Sequence, residues 1–153
     1  MKRLASTARA TAALLAVASL GLASAPAAFA QETAADYPIE PVRERVRLVN
    51  IHGYSVIDRE HLVLSGANSR HYLVTLSRPC LDLNFGARIA TSFPRIATLR
   101  PPYMEKIYAG GGPGCPIHAV EEIVSVEVAR ALVERRIEAE EAAAEAADTS
   151  SER

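Results

Sequence analysis

Four histidines are the side chains of this sequence best suited to bind a metal ion. They occur at His52, His61, His71 and His118. A zinc site needs three or four ligands that converge tetrahedrally, and the sequence usually shows ligands two or four positions apart. No pair of these histidines has that spacing. The pattern therefore predicts ordinary strand and loop histidines, with neither a metal site nor a cofactor.

Nucleophilic catalysis leaves equally little trace in the sequence. No serine lies in a Gly-x-Ser-x-Gly turn, and none precedes a lysine by three positions. The glycine-rich run 110–114 lacks the Lys-Ser or Lys-Thr pair of a phosphate-binding loop. A hydrolase or metal enzyme remains an alternative, because a site assembled in space need not leave a sequence motif.

The first thirty residues have the pattern of a secretory signal peptide. Basic residues precede the apolar run 11–22, and Ala28-Phe29-Ala30 offers the small side chains that a signal peptidase recognises. We expect cleavage between Ala30 and Gln31. The run is shorter than the ~20 residues that cross a bilayer, so we predict no transmembrane span in the mature chain. Together these features predict a periplasmic or secreted protein.

The two cysteines, Cys80 and Cys115, carry the strongest chemical signal. They have 34 residues between them, which is not the Cys-x-x-Cys spacing of redox catalysts. An exported chain meets an oxidising compartment, where an isolated pair in a small domain is usually a structural disulfide. We therefore predict a Cys80–Cys115 bridge.

Charge and composition exclude one class of partner. The chain has 17 Lys+Arg and 18 Asp+Glu, and only 5% of its residues are aromatic. A strongly basic nucleic-acid binder or a base-stacking surface is therefore not expected. Arg43, Arg45 and Arg47 alternate, which predicts a solvated edge strand. The alternative is a basic row that docks on an anionic surface such as lipid head groups or polyanionic glycans.

Short β-branched and aliphatic runs separated by turn residues indicate a β-rich (α+β) fold. We expect a small antiparallel sheet or a partly open barrel, one C-terminal helix and one disulfide. The candidate strands are residues 45–51, 54–57, 61–64, 71–76, 87–93, 95–99, 104–108 and 118–124.

The segment 66–69, Gly-Ala-Asn-Ser, predicts a hairpin loop between the third and fourth runs. If Ser65 faces Arg70 across this loop, both faces of the hairpin are largely apolar, which favours a central place in the sheet. The same register places His61 and His71 on opposite faces, so that they could not share a metal ion.

Both ends of the mature chain differ in composition from its centre. Residues 31–42 are small, polar and proline-containing, which predicts a flexible linker. Ser125 is a candidate N-cap for a helix that should end near Ile137. Residues 138–153 hold six acidic side chains and one Arg without a large apolar residue, so we expect a frayed helix that dissolves into a disordered tail. The predicted domain is 43–137, after the signal peptide 1–30 and the linker.

The apolar segments and cysteines resemble a bacterial domain family of unknown function that comprises small exported proteins with two cysteines. The resemblance covers about residues 48–133. It implies an envelope location and the Cys80–Cys115 bridge, and it brings no activity, cofactor or substrate. The segments that carry it are Gly53-Tyr54-x-Val56-Ile57-Asp58, Tyr72-Leu73-Val74-x-Leu76, Cys80-Leu81-Asp82-Leu83 with Ala87-Arg88-Ile89, and Cys115-Pro116-Ile117 with Val120-x-x-Ile123.

Three functions fit these observations. The favoured one is a noncatalytic domain that binds an envelope protein, a glycan or a small ligand. The second is a secreted inhibitor that presents the loop 93–113, which is rich in proline and glycine and lies between the cysteines. The third is the enzyme considered above.

Overall fold

The computed structural model describes residues 32–84 and 86–151, with side chains to Asp148. The predicted signal peptide and its cleavage point, Ala30 and Gln31, lie outside the described residues. No helix in the described part is long and apolar enough to cross a membrane.

Eight strands form a six-stranded antiparallel sheet and a two-stranded one. The large sheet has the order β2-β3-β4-β8-β7-β5 and curls into a half-barrel, while β1 pairs with β6. The predicted fold class is therefore confirmed. The strands are β1 (Val46–Leu48), β2 (Gly53–Val56), β3 (His61–Ser65), β4 (His71–Leu76), β5 (Ile89–Thr91), β6 (Ala97–Leu99), β7 (Lys106–Ala109) and β8 (Cys115–Ile123).

The predicted register of the β3–β4 hairpin is wrong by one residue. Ser65 pairs with His71 instead of Arg70. The Gly66 N–H donates to the Arg70 carbonyl at 2.8 Å, so that Arg70 belongs to the loop. Asn68 and Ser69 make the reversal with φ values of 58° and 56°. These left-handed conformations are the ones that such a tight loop requires.

The hairpin is buried on both faces, as the apolar pattern predicts. Leu62, Tyr72 and Val74 belong to the larger core inside the curled sheet. Val63 and Leu73 belong to a second core, on the side of the C-terminal helix. Side chains alternate between faces along a strand, so consecutive residues of β3 and β4 serve different cores.

The Cys80–Cys115 disulfide is present, as the sequence predicts. Cys80 follows the end of β4, and Cys115 is the first residue of β8. The disulfide therefore joins the loop after β4 to the first residue of the neighbouring strand β8.

The helix α1 (Val126–Ser151) begins where expected but runs past Ile137. The Val128 N–H donates to Ser125 Oγ at 3.2 Å, which confirms Ser125 as the N-cap. Residues 138–151 continue the helix instead of forming the predicted disordered tail. Alanine and glutamate favour the helical backbone, and this local preference extends a helix that the sheet has already nucleated.

The segment 33–42 is docked on α1, although its composition predicts a flexible linker. Thr33 and Asp36 close a capping box around the short 3-10 turn Ala34–Asp36. Arg135 donates to the carbonyls of Ala34 and Tyr37. Because backbone carbonyls accept these hydrogen bonds, the polar and proline-containing composition of the segment gives no sign of them.

Candidate functional site

The four histidines do not form a metal site. No group of three or more His, Cys, Asp or Glu side chains within residues 32–84 and 86–151 could hold a metal ion. The prediction that His61 and His71 lie on opposite faces is wrong, because in the observed register both share a face with Val63. They lie at opposite ends of the β3–β4 hairpin, roughly 13 Å apart along the strand direction. This distance is too long for both to bind one metal ion.

His61 is held by Asp58 at the start of β3. One carboxylate oxygen, Oδ1, accepts from the N–H groups of Glu60 and His61 at 2.6 and 2.7 Å. The other oxygen, Oδ2, lies 2.9 Å from His61 Nδ1. The contact between Asp58 and His61 was not predicted from the sequence. Its only sequence signal is the Asp-x-x-His spacing.

The contacts around Asp58 favour the ionised form of its carboxyl group. Partial burial would by itself raise the pKa of the Asp58 carboxyl. The hydrogen bond from the His61 ring, the Glu60 and His61 backbone donors and the attraction to His61 outweigh that effect and hold the pKa below its ordinary value. The carboxylate therefore fixes the orientation of the His61 ring.

A buried ion pair joins β8 to α1. Arg136 Nη1 and Nη2 donate to the two oxygens of Glu121 at 2.7 and 2.9 Å. Glu121 Oε1 also accepts from the Val42 N–H at 3.1 Å, and Arg136 Nη2 donates to the Pro38 carbonyl at 2.9 Å. The pair therefore ties the sheet, the helix and the N-terminal segment together at one point.

Two buried polar atoms close to this pair have no hydrogen-bond partner among the described residues. They are Thr75 Oγ1 and Arg136 Nε. Thr75 is 7% exposed and Arg136 is 8% exposed. Most buried polar groups in proteins are satisfied, and an unsatisfied one costs about 1–3 kcal/mol.

Thr75 and Arg136 line one cleft, which we name the His61 cleft. Its volume is about 380 Å³, within the range of small-ligand sites. The cleft lies between the N-terminal segment, the His61 end of the β3–β4 hairpin and the middle of α1. Its lining residues are Ile39, Glu40, Pro41, Glu60, His61, Thr75, Arg136, Ile137, Ala139 and Glu140.

The arrangement is better suited to binding than to nucleophilic catalysis. Thr75 lies directly opposite His61 on the neighbouring strand, and Asp58 orients His61, so the three residue types of a hydroxyl-based triad are close together. However, Thr75 Oγ1 makes no hydrogen bond to the imidazole and is covered from solvent. A nucleophile must contact both its base and the substrate. The cleft offers hydrogen bonds and apolar contacts instead.

The segment 93–113, the candidate inhibitory loop, is largely built into the fold. It contains β6, which pairs with β1, and β7, which pairs with β5 and β8. Phe93 and Tyr103 are buried, and the Tyr103 hydroxyl donates to the Glu44 carbonyl. Ile96 and Met104 are exposed, with Met104 at 83%. Tyr108 is exposed as well, so the segment presents three large apolar side chains from a backbone that strand pairing holds on both sides of Met104.

Comparison with known proteins identifies one family that matches most of this chain. No curated protein and no solved structure matches the chain. The match to a family extends over residues 1–140, which include every strand and the part of α1 that packs on the sheet. The predicted membership of a family of unknown function is thereby confirmed, and the chain belongs to the family of unknown function DUF6491.

Proposed function

We propose that this chain is an exported, noncatalytic binding domain of the cell envelope, and that the His61 cleft is its ligand site. One observation carries the proposal: a cleft of about 380 Å³ brings the exposed apolar side chains of Ile39 and Ile137 together with His61, whose ring is oriented by Asp58. A few convergent polar groups in an apolar cleft are the usual composition of a ligand site.

Export is supported by the signal-peptide pattern of residues 1–30 and by the disulfide. Disulfides persist mainly in oxidising compartments, so a Cys80–Cys115 bridge is compatible with a periplasmic or secreted protein. The prediction can be tested by intact-mass spectrometry of the periplasmic fraction. We expect a chain that begins at Gln31, and recovery of an uncleaved, membrane-bound chain would contradict export.

Binding at the cleft can be tested with the helix residue Ala139, which lines it. Ala139→Trp should fill the cleft without changing a residue of either core. Ala142→Trp is the matched control, because Ala142 is an exposed alanine of the same helix and does not line the cleft.

The measurement is native mass spectrometry of each protein after incubation with an envelope extract. We expect a bound species with the wild type and with A142W, and its loss with A139W. Equal retention by the two variants, or no bound species with any of them, would contradict the assignment of the cleft.

A secreted inhibitor is the second candidate, and the exposure of Met104 on a fixed backbone favours it. Its partner would contact the segment 93–113 instead of the His61 cleft. Met104→Ala would then abolish capture of the partner from an extract, whereas A139W would leave that capture unchanged.

A further inference from the structure

We infer that a second pocket of this protein binds a small amphiphile, an alkyl chain that ends in a carboxylate or phosphate group. The pocket lies between the segment 33–42, β1 and β8, and its volume is about 320 Å³. We name it the Arg45 pocket. It shares no lining residue with the His61 cleft, so it is a separate site that goes beyond the function proposed above.

The wall of the Arg45 pocket is apolar where a ligand can reach it. Tyr37, Pro38, Val42 and Val46 line the pocket, and each keeps part of its surface accessible. Val46 also packs against the larger core of the curled sheet. The volume lies at the lower end of the range for small-ligand sites. A pocket of this size and composition suits a short alkyl chain, because burial of apolar surface on both sides is favourable.

Two arginines at the mouth of the pocket have accessible guanidinium groups. Arg45 directly precedes β1, Arg47 is the middle residue of β1, and both are exposed and line the pocket. They alternate with Val46, so they lie on the same side of the chain, roughly 7 Å apart along it. Among the described residues, neither guanidinium group has a hydrogen bond or an ion pair. Because a guanidinium group matches the paired oxygens of a carboxylate or phosphate, both arginines can contact one anionic group.

Two buried tyrosines fix the backbone that carries these arginines. The Tyr72 hydroxyl donates to the Arg47 carbonyl at 3.1 Å, and the Tyr103 hydroxyl donates to the Glu44 carbonyl. β1 is also paired with β6. The backbone on both sides of Arg45 is therefore in place before a ligand arrives, and such preorganisation lowers the entropic cost of binding.

The acidic residues of the pocket do not cancel the charge of these two arginines. Three glutamates line the pocket. Two of them are paired with other arginines, Glu121 with Arg136 and Glu122 with Arg70. Glu44 is the third, and it faces two unpaired arginines. The mouth therefore has a net positive charge, which attracts an anion and repels a cation.

The test is a heteronuclear NMR titration of the purified protein with octanoate, octyl phosphate, octanamide and acetate. We expect octanoate and octyl phosphate to bind. Octanamide keeps the chain without the charge and should bind about five- to tenfold more weakly, the effect of two exposed ion pairs. Acetate keeps the charge without the chain and should bind more than about a hundredfold more weakly. No binding of the two anionic amphiphiles, or equal affinity for octanoate and octanamide, would overturn the proposal.

Arg45→Gln combined with Arg47→Gln should weaken octanoate binding by about five- to tenfold and leave octanamide binding within about twofold. Arg95→Gln combined with Arg100→Gln is the matched control, because both arginines are exposed beside β6 in the same two-stranded sheet and do not line the pocket. The control should keep the wild-type affinity for octanoate. An equal loss in the two double variants would show a general attraction of anions to the surface and would overturn the site.

Val42→Phe should weaken octanoate and octanamide binding alike, because the larger side chain occupies the pocket. Ile39→Phe is its control, since Ile39 belongs to the same segment but lines the His61 cleft. Ala139→Trp, which fills that cleft, should also leave octanoate binding unchanged, so the two sites are tested separately. Unchanged octanoate binding by V42F would place the alkyl chain elsewhere and overturn the assignment of the pocket.

Vesicles distinguish a free amphiphile from the same anionic group in a bilayer. We expect the protein to sediment no more with phosphatidylglycerol vesicles than with phosphatidylcholine vesicles. Preferential sedimentation with phosphatidylglycerol, without binding of octanoate or octyl phosphate, would assign the arginines to a membrane surface and overturn the proposal.

Discussion

The buried ion pair between Glu121 and Arg136 makes a stability prediction that can be worked out from the structure. The two side chains are 6% and 7% exposed and form two charge-assisted hydrogen bonds. Glu121→Gln leaves the guanidinium charge buried without a counter-charge. A buried charge without a partner lowers the free energy of unfolding by about 3–5 kcal/mol. Because a small domain has a total stability of about 5–15 kcal/mol, the variant should unfold at a much lower urea concentration.

Removing both charges should cost far less than removing one. The double variant Glu121→Met/Arg136→Met loses the hydrogen bonds to the Val42 N–H and the Pro38 carbonyl, each worth about 1 kcal/mol, but strands no charge. We expect it to be about 1–2 kcal/mol less stable than the wild type. A double-mutant cycle completed with the single variants Glu121→Met and Arg136→Met then gives a large coupling energy between the two residues.

The measurement is urea denaturation followed by far-ultraviolet circular dichroism at pH 7. Glu122→Gln is the matched control, because Glu122 is the next residue of β8 and pairs with Arg70 on the surface, where the side chains are 51% and 44% exposed. An exposed pair of this kind contributes about 0–1 kcal/mol. If E121Q lowers the free energy of unfolding no more than E122Q does, the Glu121–Arg136 pair is not desolvated and our reasoning about it is wrong.

Four further predictions concern single features. Thr75→Val should raise the free energy of unfolding by about 1 kcal/mol in urea denaturation, because it removes an unsatisfied buried hydroxyl; a loss of stability would contradict the missing partner. Replacing Cys80 and Cys115 by Ser should lower the free energy of unfolding by about 3–4 kcal/mol in the same assay, because the unfolded chain gains entropy when its loop is no longer closed. An unchanged denaturation midpoint would contradict this. Truncation after Ile137 should change the free energy of unfolding by less than about 1 kcal/mol, and a larger loss would show that the rest of the helix docks. Asp58→Asn should lower the free energy of unfolding at pH 6, and the difference from the wild type should shrink in urea titrations below about pH 4. The reason is that a carboxylate whose pKa is lowered in the folded state stabilises the protein above its ordinary pKa, and this stabilisation is lost as the pH falls through the folded-state pKa. A difference in stability that does not depend on pH would refute the contribution of the charge.

The sequence predicts the secondary structure better than the pairing of the strands. The run 71–76 coincides with β4, and the Ser125 cap coincides with the start of α1. The hairpin register was missed because β3 and β4 are apolar on both faces. A strand with one polar face has only one register that buries its apolar side, whereas a strand buried on both sides lacks that constraint. The deciding contact, from the Gly66 N–H to the Arg70 carbonyl, is a loop hydrogen bond that the residue pattern does not encode.

The candidate site could be predicted only in part. Asp58 and His61 are three positions apart, so their contact has a local signal in the sequence. Thr75 and Arg136 come from different elements and meet only because α1 packs across the sheet. The docking of residues 33–42 was missed for a related reason, since its partners are main-chain carbonyls, which every residue has.

The carbonyl-based docking of residues 33–42 has a consequence for sequence divergence. Arg135 and Arg136 hold main-chain oxygens, so most side chains in the segment can be exchanged while the path of the chain is kept. The arginines themselves have no equivalent, because lysine cannot reproduce the forked contact of Arg136 with Glu121. Among relatives of this protein we therefore expect the segment to drift in composition at nearly constant length, while the two arginines and the glutamate change rarely.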